Sequence, residues 1–459
     1  MLLASLLLTQ AISLEPIELP VRDGIRVKAE AGRFTVPARR AAPGSGTLEL
    51  RFVRFRSSAP RPGDPIVYLA GGPGDAGTGD FQGMPAALID SLRTIADVVV
   101  LDQRGTGWSE PRDLGCEPGP MLPFDRPGDP VRDLPLFQAH GRRCVERWRA
   151  RGIDLGAFTT EENADDVEAL RQALEASRLT LLAGSYGSHL ALAVVRRHPR
   201  SISRLALFGI EGPDQTFKRP APVDETLTRL GRLAATDTFY RRQLPDLVGS
   251  VRRLIQRLEA RPESVRVNGQ VIVVGDWDLR KRIADALGRN GPMRQLPAAL
   301  AVMERGDFTE LGRWAAGWRR GAAWSAMALT MDCASWASTE RLALIERESG
   351  TAIVGGAIDY PFPGVCEGLG TPRLGDAFRG PLRSNVPVLL VAGDLDARTP
   401  VANAEEVARG FSRAAVLVVE NGGHGIMGYP AINPSMLAFL RGQSSLPPRV
   451  ALPRPAFGR

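Results

Sequence analysis

Lysine is nearly absent from this chain of 459 residues. Of its 58 basic side chains only Lys28, Lys218 and Lys281 are lysines, leaving 55 arginines against 51 acids and a net charge of +7. The arginines are scattered. There is no long basic run and no basic stretch interleaved with aromatics, so nothing marks a nucleic-acid binder. Histidine occurs four times, at His140, His189, His198 and His424. None lies close in sequence to a C-x-x-C pair, because no such pair exists, and this argues against a zinc centre. No apolar run approaches the ~20 residues that cross a bilayer, so no stable membrane anchor is expected.

What is present describes a large globular protein. The chain is 44% hydrophobic and 24% charged, with 49 glycines and 36 prolines, and its length allows one large domain with an insertion or two domains. Residues 1–13, "MLLASLLLTQAIS", read as a short secretory signal without a basic leader, Ala11-Ile12-Ser13 serving for cleavage. The even cysteine count, Cys116, Cys144, Cys333 and Cys366, suits an oxidising compartment. A periplasmic or secreted location is therefore expected.

After a β-rich entry such as "LELRFVRF", short apolar runs alternate with helical patterns. "IVYLA" precedes a helix near 84–95, "DVVVLD" one near 162–175, and "LTLLAG" one near 188–197. "VPVLLVAG" precedes a helix near 402–411 and "AAVLVVENG" one near 434–440. Such alternation implies an α/β fold with a mostly parallel sheet covered on both faces. The expected division is a core over 14–211, a helical cap over 212–383, and the rest of the core over 384–459. The cap holds Trp277, Trp314, Trp318, Trp324 and Trp336. Trp314 and Trp318 share a helix face, either packing cap helices or lining a pocket.

In "LTLLAGSYGSHLALAVV" a buried strand turns into a helix at Ala183-Gly184-Ser185-Tyr186-Gly187. Small residues flank a serine at the apex, close to the G-x-S-x-G pattern that exposes a nucleophile at a sheet edge. Ser188, on the same helix start, reads as a bystander. A serine nucleophile needs a base, an acid to orient it and an oxyanion hole. His189 is tied to the elbow helix, His198 looks like a helix end, and His140 lies in an arginine-rich polar segment. His424, in a glycine-rich loop after a buried strand, is the candidate base. The acid is Asp396 or Asp394 in "AGDLDARTP", where Thr399 and Pro400 read as N-cap and first helical residue. Tyr186 and a glycine of "AGGPG", Gly71 or Gly72, supply N–H groups for the oxyanion.

Taken together, "AGGPG", "LDQRGTGWSEP", "AGSYG", "AGDLDARTP" and "GGHG" resemble the prolyl aminopeptidase and tripeptidyl aminopeptidase branch of the α/β-hydrolases. The resemblance implies an α/β-hydrolase fold with a helical cap before the aspartate strand. It selects Asp396 over Asp394 and Gly72 over Gly71, giving Ser185, Asp396 and His424 as catalytic residues. It departs at Ala70, where the family usually has histidine, and at His189, where many relatives carry arginine. Glu211, Asp214 and Asp332 are candidates to hold a substrate amine, with Glu211 best placed. Nearest-neighbour pairing and the placement seen in relatives imply Cys116–Cys144 in the core and Cys333–Cys366 in the cap. The implied activity is a serine aminopeptidase releasing N-terminal residues or short peptides, or alternatively a carboxylesterase. Its partner is a peptide or small ester substrate, with no cofactor and no metal. Nothing in the sequence sets an oligomeric state.

Overall fold

The computed structural model describes residues 12–458. Most of the expected signal segment, residues 1–11, lies outside the described residues. The main-sheet strands before the insertion are β1 (Leu14–Pro20), β2 (Arg26–Pro37), β3 (Thr47–Phe55), β4 (Ile66–Leu69), β5 (Val98–Asp102), β6 (Leu179–Ser185) and β7 (Ile202–Ile210). A separate hairpin, β8 (Glu263–Val267) and β9 (Gln270–Val274), follows, and then β10 (Val388–Gly393), β11 (Ala414–Glu420) and β12 (Arg449–Ala451) return to the sheet. The ten-stranded sheet runs β1-β2-β3-β5-β4-β6-β7-β10-β11-β12. The pairs β1–β2, β2–β3 and β3–β5 are antiparallel, and all later neighbours are parallel.

The central strands are apolar on both sides, as parallel strands under two helical layers must be. In β4, Val67 and Leu69 face one apolar cluster while Ile66 and Tyr68 face the other. The five expected helices occur as Ala86–Arg93, Thr160–Ala173, Tyr186–Arg197, Val401–Ala408 and Asn433–Leu440. Caps fix two helix starts. Thr159 accepts from Glu162 N at 3.2 Å, and Asp129 accepts from Val131 N at 2.9 Å with Pro130 in first position.

Between β7 and β10 the chain builds helices around a third apolar cluster. The hairpin β8–β9 lies inside this segment, where the sequence pattern suggested helices. Asn268 and Gly269 both take positive φ, 48° and 84°, the turn that an Asn-Gly pair favours. Packing units and chain segments do not coincide here. Helix Ala326–Ser335 belongs to the sheet-side cluster, whereas the excursion after β5 leans on the insertion. Val273 N donates to Phe124 O at 2.8 Å, and fully buried Arg319 donates to Pro123 O, Arg126 O and Asp278. The tryptophans pack: Trp314 and Trp318 stack at 6.0 Å, and Trp318 and Trp324 lie against Phe137 of helix Pro130–Ala150. None of the five lines the Ser185 cleft.

Beyond β12 the chain leaves the sheet edge and crosses to the insertion. Gly458 N donates to Arg294 O at 3.1 Å, Tyr240 Oη donates to Gly458 O, and Phe457 packs edge-on against Tyr240.

Both expected disulfides are present, Cys116–Cys144 and Cys333–Cys366. The second sits in the sheet-side cluster and not in the insertion's own core, because helix Ala326–Ser335 packs there. Removing it as Cys333→Ser with Cys366→Ser should lower unfolding free energy by roughly 2–4 kcal/mol. Denaturant unfolding without reductant measures this, and excess dithiothreitol should shrink the difference from the unaltered protein.

Candidate active site

Five neighbouring strands, β4, β6, β7, β10 and β11, each end in one residue group that the sequence singles out. In sheet order these are the 70–75 loop, Ser185, Glu211, Asp396 and His424. Each follows the carboxyl end of a parallel strand, the edge where open α/β sheets bind ligands.

Ser185 closes β6 and immediately precedes helix Tyr186–Arg197. Its backbone lies at φ 54° and ψ −128°, a region that non-glycine residues avoid at a cost of ~1–3 kcal/mol. A Cβ at Gly187 would stand 2.2 Å from Leu69 O, so only glycine lets the helix leave the turn there. Ser188 is no bystander. It is fully buried, donates to Ser185 O at 2.6 Å and accepts from Glu211 N at 2.9 Å, tying the elbow to the end of β7.

His424 Nε2 lies 3.0 Å from Ser185 Oγ, and its Nδ1 lies 2.8 Å from Asp396 Oδ2. Asp396 is buried and also accepts from Arg398 N, Thr399 N and Thr399 Oγ1, at 2.9, 3.0 and 2.6 Å. Burial alone would raise its pKa. The His424 charge, the His424 hydrogen bond and the Thr399 donors outweigh burial and hold the carboxyl below its usual range. Thr399 is not the N-cap its position suggested. Its hydroxyl serves the carboxylate, and helix Val401–Ala408 starts after Pro400 without a side-chain cap. Asp394 accepts from Asn421 N at 2.8 Å and pairs with Arg229, away from the imidazole.

The glycine loop lies against the elbow: a Cβ on Gly71 would sit 3.2 Å from Ser185 Cβ. Gly72, at φ 106°, lines the cleft of about 590 Å³ that also holds Ser185 and His424. Tyr186 opens its helix, so its N–H has no intrahelical acceptor. With Ala70 in place of histidine, the loop is braced by buried Gln103, whose Nε2 donates to Ala70 O at 2.9 Å. Gln103 Oε1 accepts from Asn163, which also reaches Tyr186 Oη. In the sequence Gln103 stands in "LDQRG", directly after a buried strand, with nothing local to mark its bond to Ala70.

Glu211 and Asp332 line a smaller cavity of about 210 Å³. Gly72, Asp285 and Arg398 border both it and the cleft. Two of the chain's three lysines, Lys218 and Lys281, line it too. Lys218 Nζ donates to Glu211 Oε2 at 2.6 Å and to Thr216 O at 2.6 Å. Glu211 Oε1 is buried with no hydrogen-bond partner among the described residues. Burial, then the neighbouring Glu211 charge, pushes Asp332 up to about 8. Asp214 is elsewhere, accepting from Ser338 N and Oγ.

The remaining histidines are structural. Buried His189 bonds Gly212 O and Ser335 Oγ through its two ring nitrogens, and burial lowers its pKa. His198 ends the elbow helix and contacts Asp165 at 2.7 Å. His140 is buried edge-on against Trp324, with the Arg143 guanidinium 3.5 Å from its Nδ1.

Known proteins share limited sequence with this chain. Serine protease Hip1 of Mycobacterium tuberculosis is 27% identical over 199 residues, 40% of this chain and 36% of its own. The alignment thus spans about a third of that relative's length. Tripeptidyl aminopeptidase of Streptomyces lividans is 23% identical over 490 aligned positions, covering 90% of this chain and 81% of its own. Proline iminopeptidase of Xylella fastidiosa is 28% identical over 153 residues, 32% of this chain and 33% of its own. The family model for the alpha/beta hydrolase fold matches residues 64–429, from the strand before the glycine loop to just past His424. This chain belongs to the alpha/beta hydrolase family.

Proposed function

We propose that the protein is a serine hydrolase acting by acyl transfer, and within that class an aminopeptidase. The observation that carries the reading is the Ser185–His424–Asp396 array at 3.0 and 2.8 Å beside a glycine loop. In this mechanism His424 Nε2 takes the Ser185 hydroxyl proton as Oγ attacks the substrate carbonyl carbon. Tyr186 and Gly72 N–H groups hold the resulting oxyanion, and Asp396 fixes the imidazole tautomer. His424 then protonates the leaving nitrogen, the amide bond breaks, and water reverses the sequence to free the acyl group. Ser185→Ala should lower kcat on the order of 10⁴-fold with the fold intact. Labelling by a fluorophosphonate should disappear with it.

The aminopeptidase reading draws support from the peptidase names of distant relatives and from the Glu211 cavity. An exopeptidase must pair the substrate's α-ammonium, since an unpaired buried charge costs several kcal/mol. Glu211 Oε1 and the protonated Asp332 carboxyl line a cavity that shares Gly72, Asp285 and Arg398 with the Ser185 cleft. A carboxylesterase is the second reading, favoured by Lys218, which already neutralises Glu211. Acetylating the α-amine of a good peptide substrate should lower kcat/KM by about two orders of magnitude or more. Glu211→Gln should shrink that discrimination while sparing activated esters. Equal cleavage of blocked peptides, short acyl esters and free-amine peptides would move the assignment to carboxylesterase. The two disulfides fit the proposed periplasmic or secreted setting.

Asp332 gives a pH signature independent of turnover. The folded protein keeps its proton up to about 8, whereas the unfolded chain loses it near the ordinary 3.8. A raised acid pKa costs stability progressively as pH climbs between those values. Asp332→Asn should therefore melt with the unaltered protein below pH ~4, gain an advantage up to pH ~8, and hold it above. Melting temperatures of both proteins across that range check the sign.

A further inference from the structure

The loop 421–425 that carries His424 is held from two directions. On the near side the core grips it: Asn421 N donates to Asp394 Oδ1 at 2.8 Å, Asn421 Nδ2 to Leu452 O at 2.9 Å, and Leu395 N to Gly422 O at 2.8 Å. On the far side the grip comes from the insertion. Asn290, first residue of helix Asn290–Glu304, donates from Nδ2 to Gly425 O at 2.8 Å. Its Oδ1 fills the space over Gly423, where an added Cβ would stand 2.0 Å away. One side chain of the insertion thus touches the residues on either side of His424.

The residues just before Asn290 face the reaction space. Asp285, Gly288 and Arg289 line the same cleft as Ser185 and His424. The helix is itself tied down one turn later, where Gly458 N donates to Arg294 O and Arg294 Nε donates to Asn290 O. We infer that Asn290 is a positioning residue through which the insertion and the C-terminal tail set the place of the His424 imidazole. This rests on the reading of His424 as the base. Hydrogen-bond distance at both imidazole nitrogens leaves little slack, and a displacement of ~1 Å can cost a hundredfold in rate. A substrate pressing on 285–289 therefore acts on the base through Asn290.

The test uses full-length protein and p-nitrophenyl acetate. Asn290→Asp keeps the shape but replaces the Nδ2 donor with an oxygen facing the Gly425 carbonyl, and Asn290→Ala removes the side chain. Both should lower kcat about tenfold to a hundredfold. KM should stay nearly unchanged, since no bound atom is lost, and the downfield His424 Nδ1–H proton resonance should broaden or shift. Asn290→Gln, which restores the donor on a longer arm, should recover part of kcat. Should the Asn290 variants not fold, a chain ending at Pro453, lacking the Gly458 tie, should show the same fall in kcat and the same change in the resonance. A kcat within twofold of the unaltered protein with an unmoved resonance, or a loss confined to KM, overturns the inference. Ser185→Ala and His424→Ala run in parallel. If they keep full turnover, the reading of the site fails. If they abolish it while Asn290 variants do not matter, only the positioning role falls.

Discussion

Leu69 O, at the end of β4, leaves room for nothing larger than a hydrogen on Gly187. The elbow helix therefore passes directly over the neighbouring strand, and the turn at Ser185 has to be sharp. That contact brings the 70–75 loop and the serine into a single small volume. A second approach of the same kind occurs at Gly393, where a Cβ would meet Gly422 O at 2.2 Å and Gly423 O at 2.7 Å. The acid loop and the histidine loop can then lie against each other at the end of β10. Two glycines, Gly187 on the elbow helix and Gly393 at the end of β10, thus set the separations across which the polar groups interact.

Several buried charges are paired with an opposite charge. Arg104 meets Asp166, Arg319 meets Asp278, Lys218 meets Glu211, and Asp396 meets His424 and three donors. Each pairing offsets a desolvation cost that an unpaired ion could not bear. Asp332 forms no salt bridge among the described residues and keeps its proton instead. The cavity beside Ser185 therefore holds an acid that an incoming cation would convert to a carboxylate.

The parallel sheet was legible because runs such as Val98–Val100 and Val388–Val391 allow few other arrangements. The Ser185–Asp396–His424 constellation was legible because each member follows a buried strand and stands in a glycine-rich or turn-forming context. Thr399 was misread for a good reason: Thr-Pro before a helical pattern is a strong cap signal, and tertiary contact with the carboxylate overrode it. The β8–β9 hairpin carried its Asn-Gly signal but sat among helical patterns. Gln103, Ser188 and Asn290 were illegible in role, since each acts on backbone far away in sequence. Asn290 and Gly425 are 135 residues apart. The tryptophans showed only that something aromatic packs in the insertion, not against which helix.

The connectivity of the tail has a consequence for biosynthesis. Gly458 bonds to Arg294 O and Tyr240 Oη while Phe457 packs on Tyr240, and Ser185 waits for a histidine 239 positions later. At the usual pace of translation, between Arg294 and Gly458 lie roughly 10–30 s of synthesis. During that interval the insertion's helices exist without their tie, and the half-sheet ending at β7 has an open edge. The strained serine is thus on the growing chain long before the His424 imidazole can reach it. Phe457 and Gly458 act as a clasp that can close only once they are made, well after Ser185 is in place.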